Sequence, residues 1–336
     1  MAKVDLYILI LGSILLDALL GDPNILIHPV QIIGFWINAI TKINLKILKS
    51  NRLITLGGLF ILLSTLSISY LVGKFIELKF FNSNGNFLWG TLLLIGISSC
   101  LATKSLISSV LEISNLIETK FLDEKSKQFV IDKVQKIVSR DVSSLSKENL
   151  LRSATESLTE NSVDGIFGPL FWILIGTVFI KHSIYLPGPL SLGFAYKALS
   201  TLDSMIGYTH LPFKYIGFFS AKLEDYATFI PCRVVVLTLP LVSKNIGKYF
   251  TLIEKTFKEG KKYESPNSGL SECIFAFIVN IKLGGENKYQ DKIVLKPLLN
   301  IKGKNCNKKS IEQICNLIVR LKILWVSIFS LIYFII

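Results

Sequence analysis

Leu53 to Gly73 is a run of 21 residues without one charged side chain. At ~1.5 Å per residue a helix of that length covers about 31 Å, enough for the ~30 Å hydrocarbon core of a bilayer. Other apolar blocks follow the same logic: 5–21, 87–111 (interrupted by Lys104), 166–180, 183–199 and 323–336. With 51% hydrophobic residues and a mean hydropathy of +0.52, the chain is too apolar for an ordinary soluble protein of 336 residues. The expected fold class is all-α: a polytopic helical membrane protein with membrane-proximal cytoplasmic helices, forming a single integral-membrane domain over 1–336. Residues 5–21 carry Asp17 near one end and stop at Gly21-Asp22-Pro23. No small-residue cleavage site follows, so this block reads as a first membrane helix and not a leader. Pro187 and Pro189 spoil a regular helix, so 166–199 reads as a helical hairpin or as re-entrant segments. The 323–336 tail is too short to span unless its helix extends upstream past Lys322 and Arg320.

Charge sets the expected orientation. The net charge is +13, and it is uneven. From Lys244 to Lys322 there are 16 Lys and Arg against 7 Asp and Glu, and 42–52 holds Lys42, Lys46, Lys49 and Arg52 with no acid. Basic loops stay on the cytoplasmic side. With 42–52 inside, 53–73 leads out and 87–111 leads back in. Large cytoplasmic loops are therefore expected at about 112–165 and 243–322. The basic excess lacks zinc-finger spacing or an aromatic RNA-binding motif, so no nucleic-acid partner is expected.

The polar stretch with the most chemistry is RDVSSLSKENLLRSATESLTENSVDG at 140–165, directly before the apolar IFGPLFWILIGTVFI. With Ser146 as N-cap, a helix is expected from about Lys147 to Ser162. At ~100° per residue, Arg152, Glu156, Glu160 and Asp164 fall on one side and Leu150, Leu151, Ala154 and Leu158 on the other. Acids one turn apart repel unless they are solvated, paired or holding a metal. Two readings stand on these residues alone. One is a solvated face with Arg152 and Glu156 as a surface pair; the other is a polar site at the mouth of the bilayer.

Further along, 199–236 mixes Asp203, Glu224, Asp225 and Arg233 with aromatics, which suits an active-site wall or amphipathic helices lying on the membrane. Residues 265–285 run from a Pro-Asn-x-Gly turn through a helix-sized apolar stretch to Gly-Gly. The five cysteines have no CxxC spacing, which argues against a disulfide framework or a zinc site. No P-loop, GxGxxG, HExxH or GxSxG pattern occurs.

Six blocks occur in order: LLDALLGDPNILIHPV, RDVSSL, ESLTENSVDGIFGPLF, AYKALSTLDSMIGY, AKLEDYATFIPCRV and SPNSGLSECIFAFIVNIKLGG. Together they resemble the CobD/CbiB family of cobalamin-biosynthesis membrane proteins, the adenosylcobinamide-phosphate synthases, over about residues 5–290. The resemblance implies an ATP- and Mg²⁺-dependent ligase of the cell membrane, its active site facing the cytoplasm. Such an enzyme joins aminopropanol, usually as its O-phosphate, to the propionate carboxyl of adenosylcobyric acid. It also implies contact with other cobalamin-assembly membrane enzymes. The matching polar positions are Asp17, Asp22, His28, Arg140, Asp141, Glu156, Glu160, Asn161, Asp164, Asp203, Asp225, Arg233, Asn267 and Glu272. Within that set Glu156, Glu160, Asp164, Asp141, Arg140 and Asp203 are expected to be catalytic. Asp141, Glu160 and Asp164 are expected to hold Mg²⁺. Asp22, His28, Asn161, Asp225, Arg233, Asn267 and Glu272 are expected to bind substrate or nucleotide. The chain departs from the family pattern at Ser200, Glu224, Cys232 and Asp291, the last lying in the turn at 289–291. Intramembrane acids and broken helices also suit a transporter, and a non-catalytic membrane sensor can share the fold.

Overall fold

The computed structural model describes residues 2–21, 29–119, 124–289 and 292–335. The chain starts with α1 (Ala2–Leu19), α2 (Pro29–Ile47), α3 (Asn51–Asn82), α4 (Phe87–Ser98) and α5 (Thr103–Thr119). It continues with α6 (Glu124–Gln135), α7 (Lys147–Ser162), α8 (Gly168–His182), α9 (Pro189–Ile206) and α10 (Phe213–Ile216). After α11 (Phe218–Thr238), α12 (Tyr249–Gly260) and α13 (Ser268–Val279) come an antiparallel hairpin, β1 (Leu283–Tyr289) and β2 (Lys292–Leu299), and finally α14 (Lys308–Ile335). Among the described residues, five helical stretches are long and apolar enough to cross a membrane: Asn51–Asn82, Phe87–Thr119, Lys147–His182, Phe218–Val242 and Lys308–Ile335. On α3, Phe60, Leu63, Leu71 and Phe75 are each more than half exposed, a surface suited to lipid and not to water. The expected class of all-α polytopic membrane protein holds, with the small hairpin as its exception.

Several expected boundaries shift. The apolar part of α1 covers only Leu6–Leu19, short of the five long stretches. The 87–111 block is two helices, interrupted between Ser98 and Thr103. The 199–236 segment, expected as an active-site wall or as amphipathic helices on the membrane, includes most of a helical stretch, Phe218–Val242, of span length. The tail helix does extend upstream, to Lys308. The region 243–322 contains α12, α13, the hairpin and the first half of α14.

Contacts divide the chain into two compact units, Met1–Lys104 with Asp164–Thr228, and Ser105–Val163 with Phe229–Ile336. The first is built on α9, which packs along α3, α8 and α2. Ile37, Ile61, Leu62, Leu199, Leu202 and Ile206 form its core. The Pro187-Gly188-Pro189 turn makes α8 and α9 a hairpin. The approach is so close that a Cβ on Gly176 would lie 2.3 Å from the Gly188 carbonyl oxygen.

Two charges inside the long apolar helix secure this turn. Glu77 is fully buried, and its Oε1 accepts hydrogen bonds from the N–H groups of Leu190 (2.7 Å) and Ser191 (2.9 Å). Those are orphan donors of the first turn of α9, whose own cap residue, Gly188, has no side chain. Lys74 donates to the carbonyls of Ile184 and Leu186 and lies 3.7 Å from Glu77. Asp17 plays a similar part: it accepts from the Thr103 N–H at 2.9 Å and so caps α5. Glu77→Ala is expected to cost about 2–4 kcal/mol, because it strands a buried ammonium and two buried amides. Thermal unfolding in detergent checks this; a melting temperature equal to wild type would show that the clamp contributes nothing.

In the second unit α13 is central, packing on α7, α12, α14 and the hairpin. Gly260 and Gly269 let α12 and α13 touch backbone to backbone; a Cβ on Gly269 would lie 2.2 Å from the Gly260 oxygen. Asn280 in the left-handed region (φ 58°) ends α13. The chain then turns into β1, whose register against β2 slips between Leu283 and Gly285. Gly284 and Gly285 take φ of +82° and +99° there, a region that favours glycine.

Candidate active site

The helix α7 begins as expected, with Ser146 accepting from the Asn149 N–H. Its small hydroxyl residues let it be buried on nearly every side. Thr155 and Thr159 donate to the carbonyls of Leu151 and Thr155, so they carry no unsatisfied hydroxyl into the interior. Its acidic face is therefore not a solvated surface: Glu156 is 0% exposed.

Glu156 is held from three sides. Oε2 accepts from Arg140 Nη1, and Oε1 accepts from the Gly284 N–H at 2.8 Å and lies 3.9 Å from Arg152 Nε. Arg152 donates to the carbonyl oxygens of Gly284 and Glu286. Gly284 of the hairpin is thus gripped at its N–H by Glu156 and at its C=O by Arg152. A Cβ on Gly285 would lie 2.6 Å from Arg152 Nη1, so this grip requires the Gly-Gly pair. Arg140 also donates to Asn287 Oδ1 on β1.

Beside this network lies a second buried carboxylate, Glu272 on α13. Its Oε2 accepts from the Tyr263 hydroxyl at 3.3 Å, and its Oε1 is 3.5 Å from Lys296 Nζ. Burial pushes the Glu272 carboxyl up to about 8; Lys296 pulls it down, and Glu156 and Glu160 push it further up. Burial alone would lower Lys296, but the carboxylates of Glu272, Glu160 and Glu156 outweigh it and hold the ammonium above its usual range. Glu272 Oε1 and Asn287 Nδ2 are buried without a hydrogen-bond partner among the described residues. Glu272 Oε1, which faces Lys296 only as an ion pair, and Asn287 Nδ2 thus keep hydrogen-bonding capacity that a polar ligand can use.

Glu160, one turn beyond Glu156, is half-buried and makes no hydrogen bond or ion pair among the described residues. Asp141 accepts two hydrogen bonds from Ser143 and lies 3.2 Å from Lys288. The Ser143 hydroxyl and N–H, with Lys288, hold its carboxyl down at about 2. Asn161 is exposed and folds back onto Ser157. Arg233 and Asn267, 34 residues apart in sequence, meet at 2.7 Å; Arg233 also donates to the Phe229 and Pro266 carbonyls and lies over the Phe229 ring at 3.4 Å.

Asp164, Asp203 and Asp225 belong to the first unit. Asp164 sits in a π-helical turn, Val163–Phe167, that directly follows α7. Asp203 lies in the last turn of α9 and Asp225 in α11. Asp22 and His28 lie outside the described residues, as does the turn at 290–291. Among the described residues no three His, Cys, Asp or Glu side chains converge as metal ligands. Sequence reasoning missed Tyr263, Asn287, Lys296 and the grip on Gly284. The signal present for them was the Gly-Gly pair, which reads as a helix end and also marks a strained turn.

Among the described residues, five long apolar helical stretches define a multi-pass helical membrane protein with a buried, mixed-charge polar cluster. The model of the family described as CobD/Cbib protein matches residues 10–318. The cobalamin biosynthesis protein CobD of Synechocystis sp. is 36% identical over 292 residues, covering 86% of this chain and 80% of that one. The proteins of the same name from Clostridium acetobutylicum and Leptospira interrogans are 30% and 32% identical. The alignments cover 96% of this chain in each case, and 97% and 96% of theirs. No solved structure matches. The chain belongs to the CobD/CbiB family of cobalamin-biosynthesis proteins.

Proposed function

We propose that this protein is the ATP-dependent ligase that attaches aminopropanol, as its O-phosphate or free, to the propionate carboxyl of adenosylcobyric acid. Family membership supports the corrinoid substrate. The observation that carries an enzymatic reading over a transporter or a sensor is the buried cluster with an open acceptor on Glu272, an open donor on Asn287 and the uncommitted Glu160.

The chemistry has two requirements. The carboxylate takes the γ-phosphoryl group of ATP, giving an acyl phosphate and ADP. The amine then displaces phosphate and loses a proton as the amide forms. Glu272, with its carboxyl near 8, is matched to take that proton close to neutral pH. Lys296 stabilises charge developing beside it. Asn287 Nδ2 is a donor for a substrate carbonyl. Arg140 and Arg152 are engaged by Glu156 and by the hairpin, so their part is to hold β1 in place. Mg²⁺ needs only one or two protein carboxylates, the rest being water and phosphate oxygens. Glu160 fits that role, whereas Asp141 is tied to Ser143 and Lys288. When bound, the ion would neutralise charge on the transferring phosphoryl group.

The test is turnover of purified protein in detergent with adenosylcobyric acid, aminopropanol phosphate, ATP and Mg²⁺. Amide and ADP should form together and each should require every component. Their absence would refute the ligase and favour a transporter or sensor. Orientation is tested separately. Regions 112–165 and 244–322 should both face the cytoplasm, since two separate basic clusters argue for it. Single cysteines placed there in an otherwise cysteine-free chain should resist an impermeant thiol reagent in intact cells. Efficient labelling would invert the topology.

A further inference from the structure

Two cavities of about 260 Å³ each open in the second unit, and both are lined by Asn305. One is lined by Asn149, Arg152, Lys282 and Glu148; the other by Lys304, Lys309, Asn280 and Gln313. Together they fall within the ~300–1000 Å³ typical of small-molecule sites.

Local backbone chemistry builds this groove. A short parallel bridge joins the segment after α13 to the segment before α14: Lys282 N–H donates to Lys304 O (2.8 Å) and Lys304 N–H to Asn280 O (3.0 Å). Asn300 donates to the carbonyls of Ala276 and Ile281 and fixes the return of the chain. Gly303 sits where a Cβ would lie 2.4 Å from the Ile281 carbonyl carbon. Lys282 and Lys304 are thereby brought to neighbouring walls although 22 positions separate them.

The charges of this groove are not balanced. Lys282, Lys304 and Lys309 make no side-chain hydrogen bond or ion pair among the described residues. Arg152 adds positive potential, its guanidinium already bound to carbonyls. The single acid, Glu148, accepts from Asn305 Nδ2 at 3.1 Å. Three unpartnered ammonium groups exceed what one carboxylate ligand needs and match a group carrying two or more negative charges, while the carboxamides of Asn149, Asn280 and Gln313 supply neutral donors. The N-terminus of α14 is already capped by Asn307 and Ser310.

We infer that these adjoining cavities form a phosphate-binding groove, with Lys282, Lys304 and Lys309 as its cations. A polyphosphate chain or a phosphomonoester both carry the required chemistry. Identifying the source as ATP or aminopropanol phosphate rests on the ligase reading; the groove itself does not.

The experiment is calorimetric titration of the full-length protein in detergent with ATP, aminopropanol O-phosphate and unphosphorylated aminopropanol. Wild type should bind at least one phosphate-bearing probe. The combined Lys282→Gln, Lys304→Gln and Lys309→Gln variant should bind that probe at least about tenfold more weakly, with aminopropanol binding unchanged. Loss for ATP alone assigns the groove to the polyphosphate; loss for aminopropanol phosphate alone assigns it to the monoester. Should the triple variant fold poorly, Lys304→Gln alone, at an exposed side chain, should still weaken the same probe about threefold. Wild type that binds neither phosphate probe, or variants that bind them as wild type does, overturns the proposal. Phosphate binding that depends on these lysines in a protein that forms no amide leaves the groove standing and removes the ligase reading.

Discussion

Glu156→Gln is expected to destabilise the protein by about 3–5 kcal/mol, the usual cost of stranding one side of a buried ion pair. The substitution keeps size and shape, so the loss is one of charge. Arg140, 5% exposed, would face a neutral amide, and the Gly284 N–H would keep only a weaker acceptor. The variant should reach the membrane poorly and unfold at lower temperature in detergent. Pairing it with Arg140→Met removes the stranded cation, and because buried pairs can be replaced by apolar groups at little cost, the double variant should recover much of the loss. Wild-type unfolding of Glu156→Gln would mean that the network does not hold the hairpin to α7.

Glu160→Gln, one turn along the same helix, is expected to behave in the opposite way. Glu160 has no hydrogen bond or ion pair to lose among the described residues, so stability should change by ~0.5 kcal/mol or less. If it holds Mg²⁺ or otherwise stabilises the transferring phosphoryl group, activity should fall roughly a hundred- to a thousandfold, about 3–4 kcal/mol. The measurement is amide formation across a range of Mg²⁺ concentrations, beside a melting curve. An unchanged rate and an unchanged Mg²⁺ dependence would remove α7 from the chemistry and leave Glu272 and Lys296 as the centre. Two acids four residues apart thus separate a structural role from a functional one.

Much of the fold was legible along the chain. Uninterrupted apolar runs have only the helix available in lipid, because every backbone group must be satisfied within the segment. That logic located α3, the α8–α9 hairpin and the upstream extension of α14, and Ser146 marked the start of α7. Local signals did less well where helices continue past charge. Lys74 and Glu77 lie inside α3 because each finds a partner on the 184–191 segment, more than a hundred residues away. The hairpin was hidden because Gly284 and Gly285 read as the end of a helix, and the residues that hold them, Glu156 and Arg152, are far upstream.

The same division runs through the site. By itself the sequence determined the membrane class, the family and the identity of the polar residues, because composition, hydropathy and motif order are properties of the chain alone. Periodicity also put Arg152, Glu156 and Glu160 on one face. Only the tertiary structure decided what that face meets. It turned an apparent surface pair into a buried grip on Gly284, brought Lys296 and Tyr263 to Glu272, and brought Asn287 to Arg140. The reason is physical: a charge is placed by the partner that offsets its burial, and that partner is chosen by packing across long sequence separations, which no local pattern encodes.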